Sequence, residues 1–108
     1  MHLQKIATTN EISNGEMKSF VIKDKEILIA NIDGEFFAIN NRCSHMGGNL
    51  SDGTLEDDII ICPRHGSRFN VRNGEAIMGP KILLIRLGTK NLRVYKLEIR
   101  ENDIMIEL

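Results

Sequence analysis

The sequence predicts an all-β domain built from small antiparallel sheets. Short runs rich in β-branched residues recur along the chain, and turn residues separate them at intervals of about 8–12 residues, a spacing typical of small sandwiches and barrels. Asp33-Gly34 lies between two of these runs, and glycine tolerates the positive φ that a two-residue hairpin turn requires. The predicted strands are KSFVIKD, EILIANI, EFFAIN, DIIIC, ILLIRL, RVYKLEIR and DIMIEL.

Other local patterns are consistent with this fold class. In RVYKLEIR, Tyr95, Leu97 and Ile99 occupy every second position, which predicts one continuous strand with one buried face. Asn73-Gly74 predicts another tight turn, and residues 9–13 contain only a weak helical turn. We therefore expect almost no helix.

The bulk composition excludes several function classes. A chain of 108 residues fits a single domain. Its net charge of −1 gives no reason to expect nucleic acid or an anionic membrane as a partner. No apolar run approaches the roughly 18 residues needed to span a bilayer, and the N-terminal segment lacks the apolar core of a signal peptide. The expected location is the cytoplasm.

Both cysteines and two of the three histidines lie in two short loops, Cys43-x-His45 and Cys62-x-x-His65. Thiols paired with histidines in a cytosolic protein indicate metal rather than a disulfide. One hypothesis is a structural zinc site in which all four side chains surround one tetrahedral ion. The other is a [2Fe–2S] cluster with both cysteines on one iron and both histidines on the other. Each loop mixes the two ligand types, which favours the cluster because zinc sites more often pair like with like.

The two loops resemble the Rieske signature, Cys-x-His-x-Gly followed by Cys-x-x-His-Gly, which residues 43–48 and 62–67 match position by position. The flanking strands and the late Gly79-Pro80 loop also resemble a small Rieske ferredoxin, so the resemblance covers the whole chain. It implies a single Rieske domain of two to three small antiparallel sheets. Residues 1–38 and 79–108 would form the base, and residues 39–78 the cluster-binding insertion.

The same resemblance implies the cofactor and its ligands: one [2Fe–2S] cluster per chain. Cys43 and Cys62 would bind the iron that stays ferric, and His45 and His65 the iron that cycles. Around these ligands, the residues expected to support the cluster are Met46, Gly47, Gly48, Gly66, Ser67, Phe69 and Pro80.

Most supporting residues also have an ordinary structural interpretation. Gly47, Gly48 and Gly66 would let backbone N–H groups approach sulfur, or would simply serve turns. By the resemblance, Ser67 stands where a hydroxyl can donate to a bridging sulfide; without the resemblance, a turn serine is the better interpretation. Pro80 resembles the proline loop that covers the cluster in this family.

The departures from the family pattern are also informative. Respiratory-complex Rieske proteins carry an additional disulfide, but Gly48 and Arg64 occupy those two positions here. Phe69 replaces their tyrosine, which removes one hydrogen-bond donor. Both departures make the chain similar to the soluble ferredoxins that serve oxygenases.

The mixed ligands explain the expected redox range. Two ferric ions, two sulfides and two thiolates sum to a neutral oxidised cluster, which accepts an electron more readily than an all-cysteine cluster. Histidine-ligated clusters therefore have potentials of roughly −150 to +300 mV, against about −400 mV for plant-type ferredoxins.

The function implied by the resemblance is one-electron transfer from a reductase to an oxygenase or another terminal enzyme, docking near His45 and His65. Such a protein is not itself an enzyme, although it is a component of a multi-component oxygenase. Two alternatives remain open: an accessory subunit similar to the small subunit of nitrite reductases, and a zinc-stabilised binding module.

Four arginines lie in or beside the ligand loops, namely Arg42, Arg64, Arg68 and Arg72. They are interpreted either as an ordinary solvated surface or as a positive surface that steers the protein toward an acidic partner.

Overall fold

The computed structural model describes residues 3–42, 49–63, 66–78, 81–82, 85–86 and 90–108. Within them the chain forms short strands and two 3₁₀ turns, Thr9–Glu11 and Leu50–Asp52. The strands are β1 (Leu3–Thr8), β2 (Met17–Ile22), β3 (Lys25–Ile32), β4 (Glu35–Asn40), β5 (Thr54–Glu56), β6 (Ile59–Ile61), β7 (Arg68–Asn70), β8 (Ala76–Met78), β9 (Lys81–Ile82), β10 (Ile85–Arg86), β11 (Val94–Tyr95), β12 (Leu97–Arg100) and β13 (Asp103–Glu107).

The described strands make three antiparallel sheets and one small ribbon. A three-stranded sheet has the order β1-β13-β12, and two four-stranded sheets have the orders β11-β4-β3-β2 and β5-β6-β7-β8. The ribbon pairs β9 with β10. The predicted all-β class with small antiparallel sheets is confirmed.

β3 lies at the centre of the molecule, and both of its faces are buried. Side chains alternate across a strand, so Leu28, Ala30 and Ile32 pack on one side while Ile27 and Ile29 pack on the other. The first group contacts the β5–β8 side, and the second contacts the β1-β13-β12 sheet. The first core cluster comprises Leu28, Ala30, Ile32, Ile39, Leu50, Ile60, Cys62, Phe69, Val71 and Leu92. The second comprises Ala7, Ile12, Ile27, Ile29, Ala38, Ile104 and Ile106.

The predicted Asp33-Gly34 hairpin turn is confirmed. Both residues have positive φ, 54° and 89°, as a two-residue turn between right-twisted strands requires. The turn sets a register in which Ile32 faces Glu35. Lys23 and Asp24 make a similar turn between β2 and β3, with φ of 49° and 64°. Sequence reasoning missed that turn because it contains no glycine.

The prediction of one strand over residues 93–100 is wrong. β11 pairs with β4, with Val94 opposite Ile39, whereas β12 pairs with β13, with Leu97 opposite Ile106. The chain changes sheets at Lys96, and Ile99 is 45% exposed. Alternation along the sequence shows which residues share a face, but not which sheet each residue joins.

The single strand predicted for ILLIRL is also wrong, because β9 and β10 pair with each other as an antiparallel ribbon. Four short strands were not predicted: β1, β5, β7 and β8. The turn at Asn73-Gly74 is present, within the five-residue connection from β7 to β8, and Gly74 has a φ of 74°. The weak helical turn near residue 9 is a 3₁₀ turn with a capping box between Thr8 and Glu11.

Candidate metal centre

The β6–β7 connection positions the second ligand motif. The backbone N–H of Cys62 donates to the carbonyl oxygen of Ser67 over 2.8 Å, and the N–H of Gly66 donates to the carbonyl oxygen of Cys62 over 3.2 Å. Gly66 has a φ of 74°, a conformation that costs other L-residues about 1–2 kcal/mol. No atom lies within 4 Å of where its Cβ would be, so the backbone conformation, not space, favours glycine there.

Cys62 and Ser67 are both buried at the base of this connection. Cys62 is 1% exposed and packs in the first core cluster beside Ile60 and Phe69. Ser67 is fully buried, and its hydroxyl has no hydrogen-bond partner among the described residues. A buried polar group without a partner costs about 1–3 kcal/mol and is rare in native proteins. The hydroxyl therefore requires an acceptor beyond the described protein atoms.

The chain on either side of the first ligand loop is held by a hydrogen-bonded network. Arg42 and Asn49 form an isolated antiparallel bridge. The Asn41 side chain donates from Nδ2 to Asn49 Oδ1 over 2.6 Å and accepts at Oδ1 from the N–H of Ser51 over 3.0 Å. The Ser51 hydroxyl also donates to Asn49 Oδ1, over 2.7 Å. Residues 41 and 49–51 are thereby fixed to each other.

Two of the four loop arginines are engaged with carboxylates. Arg42 binds Glu26 through Nε and Nη2, at 2.7 and 2.9 Å. This hydrogen bonding lowers the pKa of the Glu26 carboxyl and raises the pKa of Arg42. Arg72 lies 3.3 Å from Asp58 and stacks 5.0 Å from the centroid of the Phe37 ring.

The Rieske [2Fe–2S] domain family model matches residues 2–95. This chain belongs to the Rieske [2Fe–2S] domain family. The predicted family and its cofactor class are therefore confirmed.

Rieske ferredoxins of oxygenase systems are similar to the chain over nearly its whole length. The ferredoxin component of biphenyl 2,3-dioxygenase from Rhodococcus jostii strain RHA1 is 35% identical over 108 residues, which are 100% of this chain and 94% of that protein. The ferredoxin of carbazole 1,9a-dioxygenase from Nocardioides aromaticivorans IC177 has a TM-score of 0.80 at 25% identity, covering 98% of this chain and 97% of that one. A complex of reduced oxygenase and oxidized ferredoxin in carbazole 1,9a-dioxygenase contains a chain with the same score and identity, covering 96% of this chain and 91% of that one.

The described residues fit a Rieske cluster. Cys62 is buried in an apolar core, where water is largely excluded, and thiolates are the usual ligands of iron–sulfur clusters. The fully buried Ser67 hydroxyl supplies a donor that lacks an acceptor, and cluster sulfurs accept such hydrogen bonds. Among the described residues, which include only Cys62 of the four predicted ligands, no group of three or more His, Cys, Asp or Glu side chains could hold a metal ion.

The structure brings four of the predicted site residues together, in one hairpin: Cys62, Gly66, Ser67 and Phe69. Phe69 is fully buried in β7, opposite Ile60. The other predicted site residues lie outside the described residues: Cys43, His45, Met46, Gly47, Gly48, His65 and Pro80.

Sequence reasoning missed Asn41 and Asn49, which flank the first ligand loop. A local signal was available for Asn49, because asparagine before Leu50–Asp52 is a typical helix N-cap, and its side chain does accept from the N–H of Ser51. Nothing local distinguished Asn41, whose partners lie eight and ten residues further along the chain.

No helix among the described residues is long and apolar enough to cross a membrane.

Proposed function

We propose that this protein is a one-electron carrier that passes electrons from a reductase to a terminal oxygenase. The observation that supports this proposal most strongly is the similarity of the chain, across its full 108 residues, to the ferredoxin component of a dioxygenase. The likeness to a ferredoxin chain solved together with its oxygenase supports the same role. Such a carrier has no substrate chemistry of its own.

The proposed ligands are Cys43 and Cys62 on one iron and His45 and His65 on the other. When bound, the cluster supplies reversible uptake of a single electron. The Cys62 thiolate would be held by the hydrogen bond that closes its loop on Ser67. The Ser67 hydroxyl would donate to a cluster sulfur, and the apolar core around Cys62 would exclude water from that side.

We also propose that the cluster is carried by an insertion in the base of the domain. One sheet, β5-β6-β7-β8, uses residues 54–78 alone, whereas the strands of the other two large sheets lie within residues 3–40 and 94–107. β4 continues in the base sheet to Asn40. The insertion therefore starts after that strand, two residues later than the sequence alone suggested.

The partner would dock on the ligand loops, so that His45 and His65 lie at the interface and shorten the electron path. The charge of Arg42 and Arg72 near these loops is partly balanced by Glu26 and Asp58. Any electrostatic steering would therefore rest less on Arg42 and Arg72 than their position in the sequence suggests. Reduced thiol ligands are maintained in the cytoplasm, where we place the protein.

The decisive experiment is anaerobic purification followed by iron, sulfide and zinc analysis and a reductive titration. We expect two irons and two sulfides per chain, visible colour that bleaches with dithionite, and uptake of one electron per chain. Cys62→Ser should yield colourless protein, because a hard alkoxide is a poor replacement for thiolate. Ser19→Ala, on the exposed side of β2, should retain the cluster. Colourless wild-type protein with one zinc per chain would refute the proposal.

A further inference from the structure

We propose that Asn41 is a positioning residue for the first ligand loop, and that its side chain helps to set the redox properties of the cluster. This inference rests on the proposed function. Nothing in the Rieske signature requires this asparagine, because it lies two residues before Cys43 and outside the motif.

Asn41 is 2% exposed and uses both polar atoms of its side chain on the returning chain. Nδ2 donates to Asn49 Oδ1 over 2.6 Å, and Oδ1 accepts from the N–H of Ser51 over 3.0 Å. One side chain thus connects the residues before the loop with the residues after it.

The backbone of Asn41 connects the same point to the core. Its N–H donates to the carbonyl oxygen of Glu26 over 2.9 Å, and its carbonyl oxygen accepts from the N–H of Leu50 over 2.8 Å. Glu26 belongs to β3, the strand buried on both faces, and Leu50 is fully buried in the first core cluster. Asn41, which lies before the first ligand motif, is therefore hydrogen-bonded both to β3 and to the residues after the motif.

The bonds of Asn41 fix the described residues on both sides of the first ligand motif. Arg42 and Asn49, which form the isolated bridge, flank residues 43–48 in the sequence. Cys43 follows directly after Arg42. Hydrogen bonds to the sulfurs and exposure to solvent set the potential of an iron–sulfur cluster, and both depend on where this loop sits.

Asn31 provides an internal comparison. It is 7% exposed, and its Nδ2 donates to the carbonyl oxygen of Ile12 while its Oδ1 accepts from the N–H of Gly34, both over 2.9 Å. Asn31 thus also uses its whole amide to join two chain segments. The hydrogen bonds of Asn31 lie beside the Asp33-Gly34 turn, near the end of β3. Asn41 instead bonds to Glu26 near the start of β3 and lies directly before the first ligand motif.

The test compares Asn41→Ala with Asn31→Ala in cluster-loaded protein. Both variants should lose stability, because each leaves buried polar partners unsatisfied. Only Asn41→Ala should release iron faster to a chelator, by about tenfold, the lower range for loss of a group that orients metal ligands. Only Asn41→Ala should also shift the reduced-to-oxidised ratio at the wild-type midpoint by at least about threefold, equivalent to about 28 mV. Amide exchange at Leu50 and Ser51 should accelerate in this variant alone.

Equal effects of the two substitutions on iron release and midpoint potential would overturn the inference while leaving the proposed function intact. Wild-type protein without iron and sulfide would instead overturn the proposed function. If Asn41→Ala fails to fold, Asn41→Asp keeps the acceptor for the N–H of Ser51 and removes the donor to Asn49 Oδ1, with Asn31→Asp, which makes the same change, as its control. Asn41→Asp should then shift the midpoint potential and speed iron release relative to Asn31→Asp, and identical behaviour of the two would overturn the inference.

Discussion

The backbone N–H of Cys62 donates to the carbonyl oxygen of Ser67, and this 2.8 Å bond closes the loop that carries the second ligand motif. The bond uses the Ser67 carbonyl, whereas the fully buried Ser67 hydroxyl has no partner in the part of the chain that the structure describes. The same residue thus closes the loop with its backbone and has a hydroxyl that we propose donates to the cluster.

Ser67→Ala should lower the reduction potential and leave the cluster-free chain at least as stable as before. A hydrogen bond to a sulfide is stronger in the more negative reduced state, and a net bond is worth about 0.5–1.5 kcal/mol. With 59 mV for each tenfold change in a one-electron equilibrium, the expected fall is about 20–60 mV. Redox titration and urea unfolding of both forms measure the two effects. An unchanged potential would mean that the hydroxyl does not serve the cluster, and Ser19→Ala controls for loss of a hydroxyl elsewhere.

Phe69→Tyr tests the donor that the sequence lacks relative to respiratory Rieske proteins. Phe69 is fully buried, so a hydroxyl added to its ring would lie inside the protein and not in solvent. If it donates to the Cys43 sulfur, as the family resemblance implies, the potential should rise by about 20–60 mV for the same reason as above. Phe20→Tyr, on a half-buried ring of β2, is the control. A structure with the hydroxyl bonded to that sulfur but with no rise in potential would contradict the electrostatic explanation.

Gly53→Ala should strongly destabilise the insertion. Gly53 has a φ of −87°, which suits any residue, but a Cβ there would overlap the carbonyl oxygen of Ile61. Backbone atoms cannot turn aside as a flexible side chain does, so the cost should reach or exceed the upper end of the roughly 1–3 kcal/mol typical of overpacking. Iron retention should fall as well, because Ile61 immediately precedes Cys62.

Gly15→Ala is the matched control for this substitution. Gly15 has a φ of 80° and open space around its Cβ position, so only the backbone conformation is strained, at about 1–2 kcal/mol. The free energy of unfolding should drop less than in Gly53→Ala, and iron retention should not change. Equal losses in the two variants would show that the contact with Ile61 relaxes easily.

Glu26→Gln should flatten the acid side of the stability profile. The Arg42 hydrogen bond lowers the pKa of Glu26 below its ordinary value of 4.5 in the folded state. The pair therefore contributes stability above that ordinary value and loses it as the pH falls through the lowered, folded-state pKa. Both side chains are more than a third exposed, so the contribution is small. Denaturant unfolding between pH 3 and 7 should show a shallower acid dependence in Glu26→Gln than in Glu35→Gln, and parallel curves would contradict this.

The structural features that are set by residues close together in the chain were predictable from the sequence. The Asp33-Gly34 turn followed from the φ that only a few residues tolerate, and the ligand motifs followed from the spacing of Cys and His. The all-β class followed from short β-branched runs between turns. Each of these features is set within a few residues of the chain.

Features that depend on distant parts of the chain were decided by the tertiary structure. Residues 93–100 read as one strand, but Val94 and Leu97 join different sheets because their partners, Ile39 and Ile106, are held by different layers. The sequence could not show whether Ser67 would be buried, since its burial requires the whole first core cluster around it.

The sequence alone determined which residues are the candidate ligands, and the tertiary structure decided which residues hold the chain beside them. Cys43-x-His45 and Cys62-x-x-His65 are complete in the printed sequence. The support of their loops is not, because Asn41 hydrogen-bonds to Asn49, Ser51 and Glu26, the last of them 15 residues earlier in the chain. Any asparagine can make such bonds, and only the folded chain brings these three partners to Asn41.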